Sequence, residues 1–332
     1  MTKEVALIYR KQFPNTFSIE FIFDKLISSL QISQKIQKYT LPYYSNSFFN
    51  RLLNLICILF LPGKILHVSG DVHYAILGAW FKKRVLTIHD LAFMHQNKGA
   101  KRSILKWFYI ILPVKFAHQI TVISEATKAD LLQYVSVDPQ KIKVIPNFIS
   151  EIYQPVKDKN FNTIQPQILQ VGTAFNKNIE RLVEAISNVN CKLIIIGSLN
   201  NTQLTTLQKF KINYINKLDL TGQELVSEYQ KADLLAFTST IEGFGMPILE
   251  AQACGLPVVT SNCSSMPEVA GDAAVFVDPF EIQSIKNGIS EMISNAKLRE
   301  ELIKKGFENI KRFSKESIVA QYDSLYQELE NS

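Results

Sequence analysis

Two series of short apolar runs, separated by a polar stretch, constrain what this chain can fold into. In the first series, Val5-Ala6-Leu7-Ile8-Tyr9, Ile65-Leu66-His67-Val68, Val85-Leu86-Thr87-Ile88 and Gln119-Ile120-Thr121-Val122-Ile123 have the length of strands buried on both faces. Helical stretches lie between them. Residues 18–30 carry Ile19, Phe21, Ile22, Leu26 and Ile27 at apolar positions, and Ser124 is placed to cap a helix beginning at Glu125. Val144-Ile145-Pro146-Asn147 closes this series. The second series has strands at Ile168-Leu169-Gln170-Val171, at Leu193-Ile194-Ile195-Ile196 before Gly197, and near Ala232-Asp233-Leu234-Leu235-Ala236-Phe237, with a helix over residues 179–186. Residues 151–165, rich in Lys and Asn and marked by Pro155 and Pro166, read as an interdomain linker. An alternation that runs twice predicts an α/β chain of two tandem doubly wound, Rossmann-like domains, residues 1–150 and 166–313. Single cores stop growing at roughly 250–300 residues, and this chain has 332. Residues 314–332 form an amphipathic helix with Ile318, Val319, Tyr322, Leu325, Tyr326 and Leu329 on one face.

Charge divides along the same line. The net charge of +6 is the balance of +11 over residues 1–150 and −5 over residues 151–332. Lys82-Lys83-Arg84 is one basic cluster; Lys98, Lys101, Arg102 and Lys106 form another, beside the apolar stretch Trp107 to Leu112. Each alone reads as a solvated face. Together they suit an anionic membrane surface or a lipid-linked diphosphate acceptor. No recognition motif accompanies the charge, so nucleic acid is not an expected partner. The four cysteines show no C-x-x-C spacing and fit a reducing, cytoplasmic setting. The sequence opens on strand-like residues without a signal peptide, and its longest apolar run, Leu52 to Pro62, is too short to span a bilayer.

The stretch from Ser239 to Glu250 carries the chemistry. Glu242 and Glu250 flank Gly243, Phe244, Gly245 and Met246, with Pro247 suited to a first helical turn and Gly255 and Pro257 ending the helix. Free N–H groups and the helix dipole meet near Gly245 and Met246, a seat for a phosphate. Two acids beside an anion seat need another ligand, and sugar hydroxyls fit. A nucleotide-sugar satisfies both demands. The pair alone is read equally well as two solvated glutamates on a strand–turn–helix unit.

Histidines and metals are weighed the same way. His89 ends a strand-like run, at the edge where doubly wound folds place ligands. His73, beside Asp71 and Tyr74, is a candidate for acceptor binding, and His67, His95 and His118 read as packed or surface residues. No D-x-D pair and no His/Cys ligand spacing occurs, so neither a metal nor another cofactor is expected.

The run from Glu242 to Asp278, including Cys254-Gly255-Leu256-Pro257 and Ser265-Met266-Pro267-Glu268, resembles the signature of retaining glycosyltransferases of family four, which have the GT-B fold. The likeness extends to His67–Tyr74, Thr87–Leu91, Thr121–Thr127, Val144–Asn147, and Val171-Gly172-Thr173 with Asn176-Lys177-Asn178, similar to the family's phosphate-contacting turn. Thr173 and Asn176 stand where relatives often carry Arg, and residues 10–18 lack the glycines of the family's first loop.

The resemblance implies a cleft between two domains, with the last helix crossing back to the first. It implies that Glu250 holds the ribose and that Glu242, with Gly243, Phe244, Gly245 and Met246, holds the donor sugar. Lys177, beside Gly172, Thr173 and Gly197, would offset the diphosphate, and His89 would contact the sugar near the reacting carbon. The implied activity is metal-independent, retaining transfer of a hexose from a UDP- or GDP-sugar to a glycan or polyprenyl-diphosphate-linked acceptor. The implied setting is bacterial surface-polysaccharide synthesis, in the cytoplasm or on the inner face of its membrane. Two alternatives stay open: a nucleotide-sugar epimerase of the same fold, and a catalytically silent nucleotide-sugar-binding subunit.

Overall fold

The computed structural model describes residues 4–11, 24, 26, 30, 35–157 and 159–331. The chain divides into two compact units, Met1–Phe148 with Lys315–Ser332, and Ile149–Ser314. Of the helix expected over residues 18–30, Asp24, Leu26 and Leu30 are helical and the rest lies outside the described residues.

The first unit holds a six-stranded parallel sheet of β1 (Glu4–Tyr9), β2 (Lys35–Thr40), β3 (Ile65–Val68), β4 (Lys83–Ile88), β5 (Gln119–Val122) and β6 (Ile142–Val144), in the order β2-β1-β3-β4-β5-β6. Alternate residues of each strand serve opposite faces. Ala6, Ile8, Leu66, Val68, Leu86 and Ile88 join one core, while Val5, Leu7, Tyr9, Ile65 and Val85 join another. The second core is completed by Ile318, Tyr322, Leu325, Tyr326 and Leu329 of the last helix, Lys315–Asn331. That helix therefore covers the sheet of the first unit. Beneath it lies a polar chain: His67 Nδ1 and the Tyr326 hydroxyl are 2.7 Å apart, His67 Nε2 and Thr87 Oγ1 2.6 Å, and Thr87 Oγ1 and Thr121 Oγ1 2.5 Å.

The second unit repeats the plan with β7 (Gln167–Val171), β8 (Lys192–Ile196), β9 (Tyr214–Lys217), β10 (Leu234–Phe237), β11 (Val258–Ser261) and β12 (Val275–Val277), all parallel. Its order, β12-β11-β10-β7-β8-β9, makes β7 and β10 neighbours whose chains run on to opposite sides. This is the topological switch point, where loops part and leave a crevice at the strand ends. The edge strands β2 and β9 were not legible as apolar runs, because Lys35, Lys38, Asn216 and Lys217 break them; charge at a sheet edge blocks further pairing. Residues of the stretch read as a linker are bonded within this unit. Asp233 accepts from the backbone N–H of Asn162 at 2.9 Å and of Gln167 at 2.7 Å.

Candidate active site

The loops after β7, β8 and β10 assemble the first candidate site, within the second unit. Lys177 Nζ lies 2.7 Å from Glu242 Oε1, with both side chains largely buried. Asn176 Nδ2 donates to the same oxygen at 3.0 Å and to the Ile241 carbonyl at 2.8 Å. The ammonium also sits 4.6 Å from the centre of the Phe237 ring. Gly172 makes room for it: at φ +86° the residue is left-handed, and a Cβ there would meet Lys177 Cε at 2.8 Å. Thr173 spends its hydroxyl on the Ser198 carbonyl at 2.7 Å, bracing the β7 loop to the residue after Gly197.

Gly245, at φ +114°, precedes the helix Met246–Ala253 and turns the chain into it. Residues 242–244 are pinned by a second loop. Ser264 Oγ accepts from the Glu242 N–H at 3.1 Å, and Ser265 Oγ donates to the Phe244 carbonyl at 2.6 Å. One turn into the helix, half-buried Glu250 accepts from the Tyr229 hydroxyl at 2.5 Å. Burial pushes its carboxyl up from the usual glutamate range, while the Tyr229 and Tyr153 hydroxyls and Lys177 pull it down. The two tyrosine rings meet edge to face, 5.6 Å between centres.

Of the residues singled out in the sequence, the structure brings Lys177 onto Glu242, sets Gly172 against Lys177, and puts Glu250 on the helix that Gly245 opens. Sequence reasoning missed Asn176 as a partner of Glu242, along with Ser264, Ser265, Tyr229 and Tyr153. The serines lay in the quoted run without chemistry of their own, and Tyr229 is a helix residue indistinguishable in sequence from core.

The first unit carries a separate cavity of about 300 Å³, lined by Asp71, His73, Asp90, Phe93, Leu105 and Tyr109. His73 Nδ1 donates to the Tyr109 carbonyl at 2.8 Å, which leaves Nε2 as an acceptor in the neutral ring. His89, at the end of β4, donates Nε2 to the Ser69 carbonyl at 2.7 Å. Burial pushes both imidazoles down, against the opposite pull of Asp71 and Asp90. Asp71 is exposed and takes Arg10 at 2.8 Å. Tyr74 does not reach the cavity. It follows His73 in a 3-10 turn, where successive side chains diverge, and its buried hydroxyl meets Ser45 Oγ at 2.7 Å and Asn54 Nδ2 at 3.0 Å. Asp90 and Tyr109 take its place. Tyr109 belongs to a π-helical turn, Lys106–Ile111, where sequence showed only an apolar stretch.

Two parallel doubly wound units, the second carrying paired acids at the switch point of its sheet, define a GT-B fold. Residues 34–151 match the family described as Glycosyltransferase Family 4, and residues 154–309 the one described as Glycosyl transferases group 1. The chain belongs to glycosyltransferase family four. It is 38% identical to the O-antigen chain mannosyltransferase B of Escherichia coli over 104 residues, covering 31% of this chain and 27% of that one. To the O-antigen chain mannosyltransferase RfbU of Salmonella typhimurium it is 25% identical over 223 residues, covering 64% and 61%. It thus spans less than two thirds of either relative's length. The fold is similar to that of sucrose-phosphate synthase from Thermosynechococcus elongatus, with TM-score 0.82, 19% identity and 99% of both chains covered.

Proposed function

We propose that the chain transfers a hexose, with retention and without a metal, from a UDP- or GDP-sugar to a glycan or lipid-linked acceptor in surface-polysaccharide synthesis. The ion pair of Lys177 and Glu242 at the switch point, with Glu250 close enough to feel the charge of the same ammonium, is the observation that carries this reading. A nucleoside diphosphate supplies an anion for Lys177, and a hexose supplies hydroxyl donors for Glu242. The donor therefore replaces one ion pair by two matched contacts. Glu250, steadied by the buried Tyr229 hydroxyl behind it, offers its carboxylate to the ribose hydroxyls. The leaving phosphate takes the acceptor's proton on the face it departs from, so no enzymic base is required. Lys177, backbone N–H groups and the Met246 helix terminus meet the charge that develops on it.

The names of the two O-antigen mannosyltransferases support a mannosyl donor and a growing glycan as acceptor. The cavity of Asp71, His73 and Asp90 suits the acceptor's hydroxyls, since it presents hydrogen-bond acceptors between apolar walls. The excess of basic residues in the first half supports peripheral contact with the inner face of an anionic membrane. The absence of a D-x-D pair supports metal independence.

The test is transfer from UDP- and GDP-hexoses, with and without a glycan acceptor, in excess EDTA, followed by NMR of the new anomeric centre. Acceptor-dependent release of nucleoside diphosphate with retained configuration is expected. Release of altered sugar without acceptor would make the chain an epimerase. A nucleotide-sugar-dependent rise in melting temperature with no turnover would make it a binding subunit. Loss of activity in EDTA, restored by Mg²⁺ or Mn²⁺, would overturn metal independence.

A further inference from the structure

The helix Phe48–Leu59 has its polarity reversed. Ser47 caps it, accepting from the Asn50 N–H at 3.2 Å. Its fully buried residues are Asn54 and Ile58. Asn54 Nδ2 donates to the Tyr43 carbonyl and the Tyr74 hydroxyl, each at 3.0 Å, so an amide anchors this helix to the core. The opposite face is apolar and bare. Phe48 is 66% exposed, Phe49 75%, Leu52 44%, Leu53 41%, Ile56 44% and Phe60 81%. These positions recur at the spacing of one helical face.

A second segment extends the patch. Lys82 is turned inward and donates Nζ to the Leu61 carbonyl at 2.6 Å and the Gly63 carbonyl at 2.7 Å. That clamp seats the preceding residues, Trp80 at 70% and Phe81 at 59% exposed, beside the end of the helix. Single exposed apolar residues are ordinary, but a contiguous set of this size marks an interaction surface.

Charge says which surface. From residue 25 to residue 124 the sequence holds 13 Lys and Arg and two acids, Asp71 and Asp90. Asp71 is paired with Arg10, which leaves Asp90 as the one acid of this span against its basic residues, among them Lys64 just beyond the helix and Lys83 next to Trp80 and Phe81 in sequence. Phenylalanine, leucine and tryptophan rimmed by cations match the headgroup and acyl boundary of an anionic bilayer. Among the described residues no helix is long and apolar enough to cross a membrane, so such a helix would lie in the interface plane.

We infer that the helix Phe48–Leu59, with Phe60, Trp80 and Phe81, inserts its bare face into the surface of an anionic bilayer. The inference rests on the membrane contact proposed above and centres it on this helix with Trp80 and Phe81, beside the Lys82-Lys83-Arg84 cluster, rather than on residues 98–112. Insertion of apolar side chains, rather than charge attraction alone, then holds the protein down.

The two tryptophans, Trp80 and Trp107, separate these surfaces. Trp107→Phe leaves Trp80 as the reporter, and Trp80→Phe leaves Trp107. Each is mixed with vesicles of phosphatidylcholine and phosphatidylglycerol brominated on the acyl chains. Trp80 should shift to the blue and be quenched, with Trp107 nearly unchanged. The double variant Phe49→Ser, Phe60→Ser should bind vesicles at least roughly tenfold more weakly, two phenylalanines no longer leaving water, at an unchanged melting temperature. Quenching of Trp107 alone would overturn the inference and keep the membrane contact. Quenching of neither would overturn both and leave sugar transfer to its own assay. A blue-shifted Trp80 without vesicles, in a chain that sediments as a dimer, would give the face to a second copy and overturn the inference as well.

Discussion

Lys177 and Glu242 neutralise each other across 2.7 Å, although the sequence reading gave each a different part of the donor. The pair keeps the two groups in place and charge-balanced before any ligand arrives. Lys177→Ala leaves Glu242 with the Asn176 amide, and Glu242→Gln leaves Lys177 over the Phe237 ring. Both variants should lower kcat, Lys177→Ala by about a hundredfold, more than they weaken donor binding. A double-mutant cycle on melting should return a coupling of about 0.5–3 kcal/mol. Near-normal turnover in Lys177→Ala would move the phosphate role elsewhere.

Gly172→Ala acts on the same ammonium from behind. The added methyl would stand 2.8 Å from Lys177 Cε at a left-handed backbone position. It should cost about 1–2 kcal/mol of stability and reproduce part of the Lys177→Ala loss of kcat. Unchanged kinetics would mean that the lysine reaches the donor by another rotamer.

Glu250 sets stability against function. Burial raises its folded pKa, so its stabilising contribution is present below the unfolded value and lost as pH rises through the folded one. Glu250→Gln should therefore melt above the parent chain at neutral pH, with the gap closing toward about pH 4. Its affinity for nucleotide-sugar should fall by about 1.5–3 kcal/mol. Calorimetry showing equal affinity would remove Glu250 from the ribose site.

His67 has the opposite sign. Burial, and secondarily His89, pushes its pKa from 6.5 down to about 3. A depressed folded pKa gives stability that is complete above the unfolded value of 6.5 and lost as pH falls toward 3. His73 and His89 shift in the same direction and add to the slope. Denaturant unfolding between pH 7 and pH 4 should show a steep loss, shallower in His67→Gln. An equal slope in that variant would assign acid sensitivity to the other two histidines.

Much of this was legible because it is local. Buried parallel strands announce themselves as unbroken apolar runs, and Gly245 with Pro247 marks the start of a helix wherever it occurs. The last helix showed its apolar face in the spacing of Ile318, Tyr322, Leu325 and Tyr326, though not that Tyr326 meets an imidazole 259 positions earlier. Pairings of that reach depend on sheet order, which composition does not encode. Adjacency in sequence did not tell that Tyr74 turns away from the cavity His73 lines, toward Ser45 and Asn54. The helix Phe48–Leu59 was invisible as a surface feature because apolar residues are read as inward by default, and here an asparagine points inward instead.

The first unit is split around the second in the chain, and this orders events at the ribosome. The sheet of β1 to β6 is synthesised early, yet the helix that roofs one of its faces is translated only after the whole second unit. Residues 149–314 are contiguous and can close while His67, Thr87 and Ile65 still wait for Tyr326 and its neighbours. Nascent chains stalled after Ser314 should accordingly resist protease in the later half and yield in the earlier one. Protection of both halves in the stalled chain would show that the roof is dispensable.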